Sequence, residues 1–308
     1  MLGLVADDLT GACDSAAPFL GGGRVLVSIW PAVAVAAATA AACLAVSTET
    51  RDGDPEQARS RSAEAVRRLR AAGAARVFRK VDSRLRGHLR EEIAGALDEW
   101  PGRCLLAPAL PAEGRVTRGG RQLMEGEAID IATLLGGLEA RVEVRDAETD
   151  ADLALIAAEL AADPELMAAG SAGLAAAVAT ALGLAGRGPG WPARPRPLAL
   201  VGSKTAASAM QVEAAQAAGW EVRHRARDQA IDLAGHDALF LSGGGTAAGV
   251  LSALGATTLE LLGELLPRVP VGRLLDGSRA GLVVALKSGG FGGAGAIATA
   301  LDRLSAGG

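Results

Sequence analysis

Acidic and basic side chains that could bind a hydroxylated acid follow three apolar segments in the first part of the chain. These segments, Leu2–Ala6 and residues 43–46 and 76–79, have the length and composition of buried strands. The polar residues after them are Asp7, Asp8, Thr10, Ser47, Thr48, Arg51, Lys80, Asp82, Ser83 and Arg86. Arginine and lysine bind carboxylates, and aspartate accepts hydrogen bonds from hydroxyl groups. This cluster therefore predicts a site for an anionic, hydroxylated molecule.

A second cluster, rich in glycine, serine and threonine, follows three later apolar segments, residues 198–201, 238–241 and 282–286. Its members are Gly202, Ser203, Thr205, Ser242, Gly243, Gly244, Gly245, Thr246, Lys287, Ser288, Gly289, Gly290 and Gly292. Such loops present backbone N–H groups at helix N-termini and bind phosphates, although glycine loops of this kind are as often only tight turns. No Walker A motif is present, because Ser203 separates the glycine from Lys204.

The positions of the two clusters predict how they are used. In open α/β sheets, ligands bind beyond the carboxyl ends of the strands. The clusters thus form two sites, or one site shared across a cleft. An acid-binding region that faces a phosphate-binding region is what phosphoryl transfer requires.

Simpler interpretations of the first cluster stay open. Asp7 and Asp8 could cap a helix that begins near Thr10, since aspartate is favoured at that position. Lys80 and Arg86 could be solvated surface charges, although the residues between them at a strand end count against this. The histidines, His88, His224 and His236, are too scattered to predict a metal site in the protein.

Strand-like and helical segments alternate along the chain, which predicts an α/β fold with mostly parallel sheets flanked by helices. The clearest helix begins at Pro55 after Asp54 and ends before Gly73. Residues 186–197 hold four of the 13 prolines and show no periodicity, so they predict a stiff linker. We therefore expect an N-terminal domain over residues 1–190, a C-terminal domain over residues 191–308 and an active site in the cleft between them.

Composition excludes several classes of partner. A net charge of −4 and the absence of tyrosine argue against a nucleic-acid-binding protein. The longest apolar stretch, residues 32–46, is shorter than the roughly 20 residues of a membrane span, and we interpret it as a buried helix that runs into a strand. The cysteines, Cys13, Cys43 and Cys104, form no CxxC motif, so we expect buried thiols and a cytoplasmic protein.

Several motifs, in this order, resemble those of the four-carbon acid sugar kinase family. Residues 5–14, VADDLTGACD, are similar to the family's (I/V)ADDxTGAxD, and residues 80–88, KVDSRLRGH, to its KxDSTLRGN. Residues 108–117, PALPAEGRVT, are similar to PAxPxxGRxT. Further matches are residues 47–51, 202–203, 243–246, 263–264 and 287–292, so the resemblance covers almost the whole chain.

The resemblance implies a kinase that uses ATP and Mg²⁺ to phosphorylate a small acid such as threonate, erythronate or 3-oxo-tetronate. The implied substrate pocket consists of Asp7, Asp8, Arg51, Lys80, Asp82, Ser83 and Arg86. Implied nucleotide contacts are Ser203, Gly243, Gly244, Gly245, Thr246, Lys287, Gly289 and Gly292. We expect Arg51, Lys80 or Arg86 to hold the acid's carboxylate. Asp8 is favoured as the proton acceptor over Asp7 and Asp82, Lys80 would stabilise the transferred phosphoryl group, and a homodimer is one expected assembly.

The chain departs from the family pattern at four positions. The family usually has threonine where this chain has Arg84, and asparagine where it has His88. It often has glutamate at the position of Gly245 and asparagine at that of Gly290. These departures predict a retuned or weakened activity, and they keep open a non-catalytic two-domain protein that senses acid metabolites. A sugar-acid isomerase or dehydrogenase is less favoured, because neither a dinucleotide fingerprint nor a metal cluster is found in the sequence.

Overall fold

One sheet of 13 strands runs through both parts of the chain in the computed structural model, which describes residues 1–34, 40–225, 232–289 and 291–308. Its strands are β1 (Leu2–Ala6), β2 (Arg24–Ile29), β3 (Ala41–Ser47), β4 (Arg76–Lys80), β5 (Cys104–Ala107), β9 (Val142–Val144), β10 (Met167–Gly170), β11 (Pro197–Val201), β12 (Val222–His224), β13 (Ala238–Ser242), β14 (Thr258–Leu266), β15 (Val269–Leu274) and β16 (Val283–Lys287). A separate antiparallel sheet contains β6 (Val116–Arg118), β7 (Arg121–Met124) and β8 (Glu127–Asp130).

Helices lie between most of the strands. They are α1 (Leu9–Ala16), α2 (Pro55–Ala71), α3 (Leu89–Glu99), α4 (Ile131–Leu135), α5 (Asp150–Ala162), α6 (Ala172–Ala181), α7 (Ala206–Ala217), α8 (Gly244–Ala253) and α9 (Ala296–Ala306), with 3-10 turns at Ala17–Gly22 and Pro111–Glu113. The prediction for α2 is confirmed: Asp54 accepts a hydrogen bond from the Glu56 N–H at 2.7 Å and Pro55 is the first helical residue.

The strand order is β12-β11-β13-β16-β15-β14-β2-β3-β1-β4-β10-β5-β9. Neighbours from β2 to β9 are parallel, as are neighbours from β12 to β16. Only the connection through β14 and β15 is antiparallel. The predicted α/β class with a mostly parallel sheet is therefore confirmed. The strands of the two parts join into one sheet, because β14 pairs with β2.

The antiparallel connection reverses the strand direction between the two parallel blocks. From β16 to β1 there are five strand steps, and a normal twist of about 20–25° per step turns the sheet by roughly 100–125°. Two irregularities in the β14–β15 register, at Leu261/Gly263 and Glu264/Leu266, add local twist. This twist explains why the carboxyl ends of both blocks can face one cleft despite the reversal.

The predicted linker packs against the second part of the chain. Gly190 N–H donates to Leu262 O at 3.1 Å, and Trp191 N–H donates to Gly308 O at 2.8 Å. A Cβ atom at Gly188 would lie 2.2 Å from Leu262 O, so this close approach to β14 requires glycine. The domain boundary at residue 190 stays a prediction.

The three cysteines are buried and free, as expected. In the apolar stretch 32–46, residues 35–39 lie outside the described residues, and the end of the stretch belongs to β3. No described helix is long and apolar enough to cross a membrane.

Candidate active site

A cavity of about 1280 Å³ lies where the two polar clusters meet. It is lined by residues that directly follow strands of both parallel blocks. Those among the predicted site residues are Asp8, Arg51, Lys80, Asp82, Ser83, Arg86, Ser203, Gly243, Gly244, Gly245, Thr246 and Gly289. Of the two arrangements left open by the sequence, the structure has one site shared across a cleft.

Asp8 is both a helix cap and a lining residue. As the N-cap of α1, it accepts hydrogen bonds from Gly11 N–H at 3.0 Å and Thr10 Oγ1 at 2.7 Å. Its Oδ1 also lies 2.8 Å from Arg51 Nη2. The capping interpretation is thus right for Asp8, and it does not exclude a role in the cleft, because Asp8 lines the cavity.

Asp7 lies behind the cavity wall and is not a lining residue. Its carboxylate is 1% exposed and accepts hydrogen bonds from Arg51 Nε at 2.6 Å and Arg51 Nη2 at 2.7 Å. Burial opposes its ionisation, but the charge and hydrogen bonds of Arg51 prevail and lower the pKa of Asp7. Asp7 therefore orients Arg51, and a direct contact between Asp7 and the substrate stays a prediction that this position behind the wall does not favour.

Asp82 and Arg86 form a second two-contact pair. Arg86 Nε donates to Asp82 Oδ1 at 3.0 Å and Nη2 to Oδ2 at 2.7 Å. Burial would raise the pKa of Asp82, but the hydrogen bond from Arg86 and the nearby charge of Arg51 hold it far below its usual range. An aspartate held this firmly in its ionised form is a poor proton acceptor, so Asp82 is a weaker candidate base than Asp8.

Lys80 extends from the end of β4 into the cleft. It is 5% exposed, and its Nζ would lie 3.3 Å from a Cβ atom at Gly11, beside the start of α1. Within the described ranges, no ion pair or hydrogen bond involves this Nζ. Its three donors are available to a ligand.

The start of α8 forms the opposite wall. Gly243, with φ 106°, precedes the helix, and no side chain in the described part of the protein caps it, so the first N–H groups of α8 are available to a ligand. A Cβ atom at Gly244 would lie 2.8 Å from Asp8 Oδ2 and 3.3 Å from Thr10 Oγ1. An uncapped helix start built from glycines fits a phosphate group, and here it lies against the Asp8 carboxylate.

Lys287 and Gly292, predicted as nucleotide contacts, are not cavity-lining residues. Lys287 is 1% exposed, and its Nζ donates to the carbonyls of Ser288 and Gly289, each at 3.0 Å. Burial lowers the pKa of Lys287 to about 8. The carbonyl of Gly292 accepts from Gln211 Nε2 at 2.9 Å. Both residues shape the 287–292 loop, of which Gly290 lies outside the described residues.

Sequence reasoning gave no role to several residues of the site. Asp14, the last residue of the first motif, lines the cavity with a buried Oδ1 that has no partner in the described part of the chain. Burial raises the pKa of Asp14 to about 7. Arg115 and Phe291 line the same cavity, and Ser288 Oγ contacts Thr10 Oγ1 across the cleft at 3.3 Å. These four residues, Asp14, Arg115, Ser288 and Phe291, lie within the family-like motifs, so the sequence offered a signal for them. The contact between Ser288 and Thr10 arises only in the folded structure.

The histidines have separate surroundings. The ring of His88 contacts Gly53 O at 2.8 Å, His236 lies 3.5 Å from Glu221, and His224 lines the cavity. Among the described residues, no three His, Cys, Asp or Glu side chains are grouped to hold a metal ion.

Known proteins resemble both parts of the chain. A sugar-binding N-terminal domain model matches residues 2–134, and a nucleotide-binding C-terminal domain model matches residues 222–297. A D-threonate kinase from Bordetella bronchiseptica is 30% identical, in an alignment that covers 94% of this chain and 94% of that one.

Solved structures share the architecture. A Bordetella bronchiseptica protein, described as a domain of unknown function and crystallised with citrate as a domain-swapped dimer, is 28% identical with a TM-score of 0.53; the match covers 97% of this chain and 98% of that one. A Haemophilus influenzae protein, 18% identical, has a TM-score of 0.71 over 98% of this chain and 100% of that one, which shows the fold alone. The two domain models and the kinase relative that spans nearly the whole chain establish that this protein belongs to the four-carbon acid sugar kinase family.

Proposed function

We propose that the protein is an ATP-dependent kinase that phosphorylates a hydroxyl group of a four-carbon sugar acid of the threonate, erythronate or 3-oxo-tetronate type. One observation carries the proposal: the Asp8 carboxylate lies against the uncapped start of α8, with Oδ2 2.8 Å from the position of a Cβ atom at Gly244. A group that accepts a proton and a helix start that binds phosphate thereby face each other. The Bordetella relative is a D-threonate kinase, which supports the same chemistry.

On the nucleotide side, the N–H groups that begin α8 would hold phosphate oxygens, with Ser203 and Gly289 beside them. A Cβ atom at Gly289 would lie 2.3 Å from Ser203 Oγ, so glycine keeps these two loops close together. Lys287 supports this wall from behind, because its ammonium group ties the carbonyls of Ser288 and Gly289. ATP supplies the phosphoryl group that is transferred.

Mg²⁺ fits as an ion that accompanies the nucleotide. Magnesium usually keeps several waters and is held by phosphates and one or two carboxylates. Asp8 and Asp14 line the cavity and could supply such a carboxylate, whereas a dedicated cluster of three ligands is not found in the described ranges. We therefore expect metal affinity to be weak without nucleotide.

Asp8 is the proposed proton acceptor for the substrate hydroxyl. Among the described residues, its Oδ2 accepts a hydrogen bond only from Thr10 Oγ1, and it lies against the start of α8. Asp14 is the next candidate, because its pKa of about 7 suits a base that operates near neutral pH. Lys80, whose Nζ lies near the start of α1, would stabilise the negative charge of the transferred group.

The decisive experiment is ADP release in a coupled assay with ATP and Mg²⁺ across the stereoisomers of threonate, erythronate and 3-oxo-tetronate. We expect turnover that depends on one acid, and a loss of at least about a hundredfold in kcat for Asp8→Asn at unchanged ATP affinity, the usual scale of a general base. Full activity of a folded Asp8→Asn enzyme would move the base to Asp14. Acid binding without ATP binding would instead support the sensor.

We also propose that the protein assembles as a homodimer, because the Bordetella structure is described as a domain-swapped dimer. Light scattering after size exclusion would measure the mass. A mass of one 30.9 kDa chain across the micromolar range would contradict the proposal.

A further inference from the structure

Some arginines of the cleft already form an ion pair with a carboxylate of the protein, and others do not. Arg51 binds Asp7 through two nitrogens, and Arg86 binds Asp82 in the same way. Arg84 pairs with Glu127 at 3.2 Å. A guanidinium group binds a carboxylate best through two parallel N–H donors, so an arginine already paired in this manner has little left to offer a second carboxylate.

Arg115 also lines the cavity, and it makes no ion pair with any described residue. Its backbone is fixed: Leu110 N–H donates to Arg115 O at 2.7 Å, and Arg115 N–H donates to Leu110 O at 3.2 Å. The preceding Gly114 has φ 65°, which turns the chain from the 3-10 turn into β6. The side chain therefore leaves from a well-defined position at the edge of the cleft.

Two contacts hold the guanidinium group of Arg115 in place. Nη1 donates to Ser83 Oγ at 2.5 Å, and the group lies 5.4 Å from the centre of the Phe291 ring. Arg268 lies 4.6 Å from the same ring and pairs with Glu113, so the ring itself is fixed. The planar head of Arg115 is thus oriented, and no carboxylate of the described residues forms an ion pair with it.

Burial lowers the pKa of Arg115, and the charges of Glu113 and Asp82 offset this only in part. A half-buried cation without an ion pair is unfavourable, and a ligand carboxylate would remove that cost. Ser83 Oγ accepts from Arg115, so its own proton can be donated to a ligand. Arg115 and Ser83 thus offer a guanidinium fork and a hydroxyl donor at the same point of the cavity.

We propose that Arg115, together with the Ser83 hydroxyl beside it, binds the carboxylate of the substrate and thereby determines that the enzyme accepts acids. Arg51 and Arg86 instead orient the aspartates of the cleft. This inference rests on the proposed kinase function and refines it, because it replaces the expectation that Arg51 or Arg86 holds the acid.

The experiment measures acid and nucleotide affinities separately. Calorimetry would give the Kd of threonate and erythronate, and that of ATP, for the wild type, Arg115→Met and Arg118→Met. Arg118 is the matched control, since it lies on β6, is largely exposed and pairs with Glu148 outside the cavity lining. We expect Arg115→Met to weaken acid binding about a hundredfold, the scale of a lost charge-assisted hydrogen-bonded pair, and to leave ATP affinity unchanged.

A conservative variant keeps the test valid if Arg115→Met fails to fold. Arg115→Lys retains the charge and loses the fork, so we expect acid binding about tenfold weaker and an unchanged melting temperature. Unchanged acid affinity in either folded variant, or an equal loss of ATP affinity, would overturn the inference. If the wild type bound acids without turnover, the kinase proposal would fail and the role of Arg115 would stand. If the wild type turned over and Arg115→Met bound acids with unchanged affinity, the kinase proposal would stand and the role of Arg115 would fail.

Discussion

At the scale of single residues, the buried carboxyl of Asp14 gives the clearest pH dependence. Burial raises its pKa from 3.8 to about 7, although Lys80 and Arg268 oppose the shift. The folded protein therefore keeps a proton that the unfolded chain has already lost between these pH values. It follows that Asp14 lowers the stability of the fold as pH rises from about 4 to 7, and by a constant amount above that.

We expect Asp14→Asn to remove this pH-dependent loss of stability. Relative to the wild type, its free energy of unfolding should rise with pH, by up to about 4 kcal/mol between pH 4 and pH 8. Urea unfolding at several pH values would measure the difference. Glu125→Gln, at an exposed turn, is the matched control and should show no such trend. A difference that is flat with pH would mean that Asp14 titrates normally in the folded protein.

The identity of most site residues was predictable from sequence, but their partners were not. Asp8, Lys80, Asp82 and Ser83 were placed correctly at the cleft because strand ends with polar residues are a local feature. Arg51 forms its ion pair with Asp7, 44 positions away in the chain, because β1 pairs with β3. Arg115 was overlooked for the same reason, since only the three-dimensional structure shows that no described carboxylate forms an ion pair with it.

At the scale of elements, the start of α8 must come close to the start of α1. A Cβ atom at Gly244 would lie 2.8 Å from Asp8 Oδ2, and Asp8 is held by Gly11, Thr10 and Arg51. The backbone of Gly244 is not in the left-handed region, so alanine there causes no backbone strain. We expect Gly244→Ala to displace Asp8 and to lower kcat at least about tenfold, the equivalent of one lost hydrogen bond.

The comparison for this prediction is Gly293→Ala in the loop before α9. A Cβ atom there meets nothing within 4 Å, and its φ is not positive. Steady-state kinetics should therefore show wild-type turnover for Gly293→Ala, and melting temperatures should show that both variants are folded. If Gly244→Ala also turned over normally, Asp8 could not be fixed against α8 during catalysis.

Five strands of the parallel blocks, β1, β4, β11, β13 and β16, were predicted to within about one residue, because each is a short apolar run that a polar end follows. The hairpin of β14 and β15 was missed. β14 carries Glu260, whose carboxylate binds Arg24 of β2 at 2.7 Å and Arg273 of β15 at 2.6 Å. A buried-strand pattern does not reveal a glutamate stabilised by partners from two other strands, one of them 236 positions away.

At the scale of the whole molecule, the pairing of β2 with β14 makes the two parts one structural unit. Ser28 pairs with Thr258 and Val25 with Leu261, so the sheet is continuous from the acid side to the nucleotide side. Two domains joined only by a linker would unfold independently. A continuous sheet instead predicts that both parallel blocks lose protection together, because β14 and β15 join the edge strand of one block, β2, to the edge strand of the other, β16.

Leu261→Ala tests this coupling. Leu261 is 1% exposed and lies where β14 meets both β2 and β15. Its truncation should cost about 2–5 kcal/mol. Hydrogen exchange in low urea should show the same decrease in opening free energy for β4, on the acid side, and β13, on the nucleotide side. Leu155→Ala, at a leucine 72% exposed on α5, should change neither. A loss of protection confined to β13 would mean that the acid-binding block is stable alone and that the β2–β14 pairing joins two independent folding units.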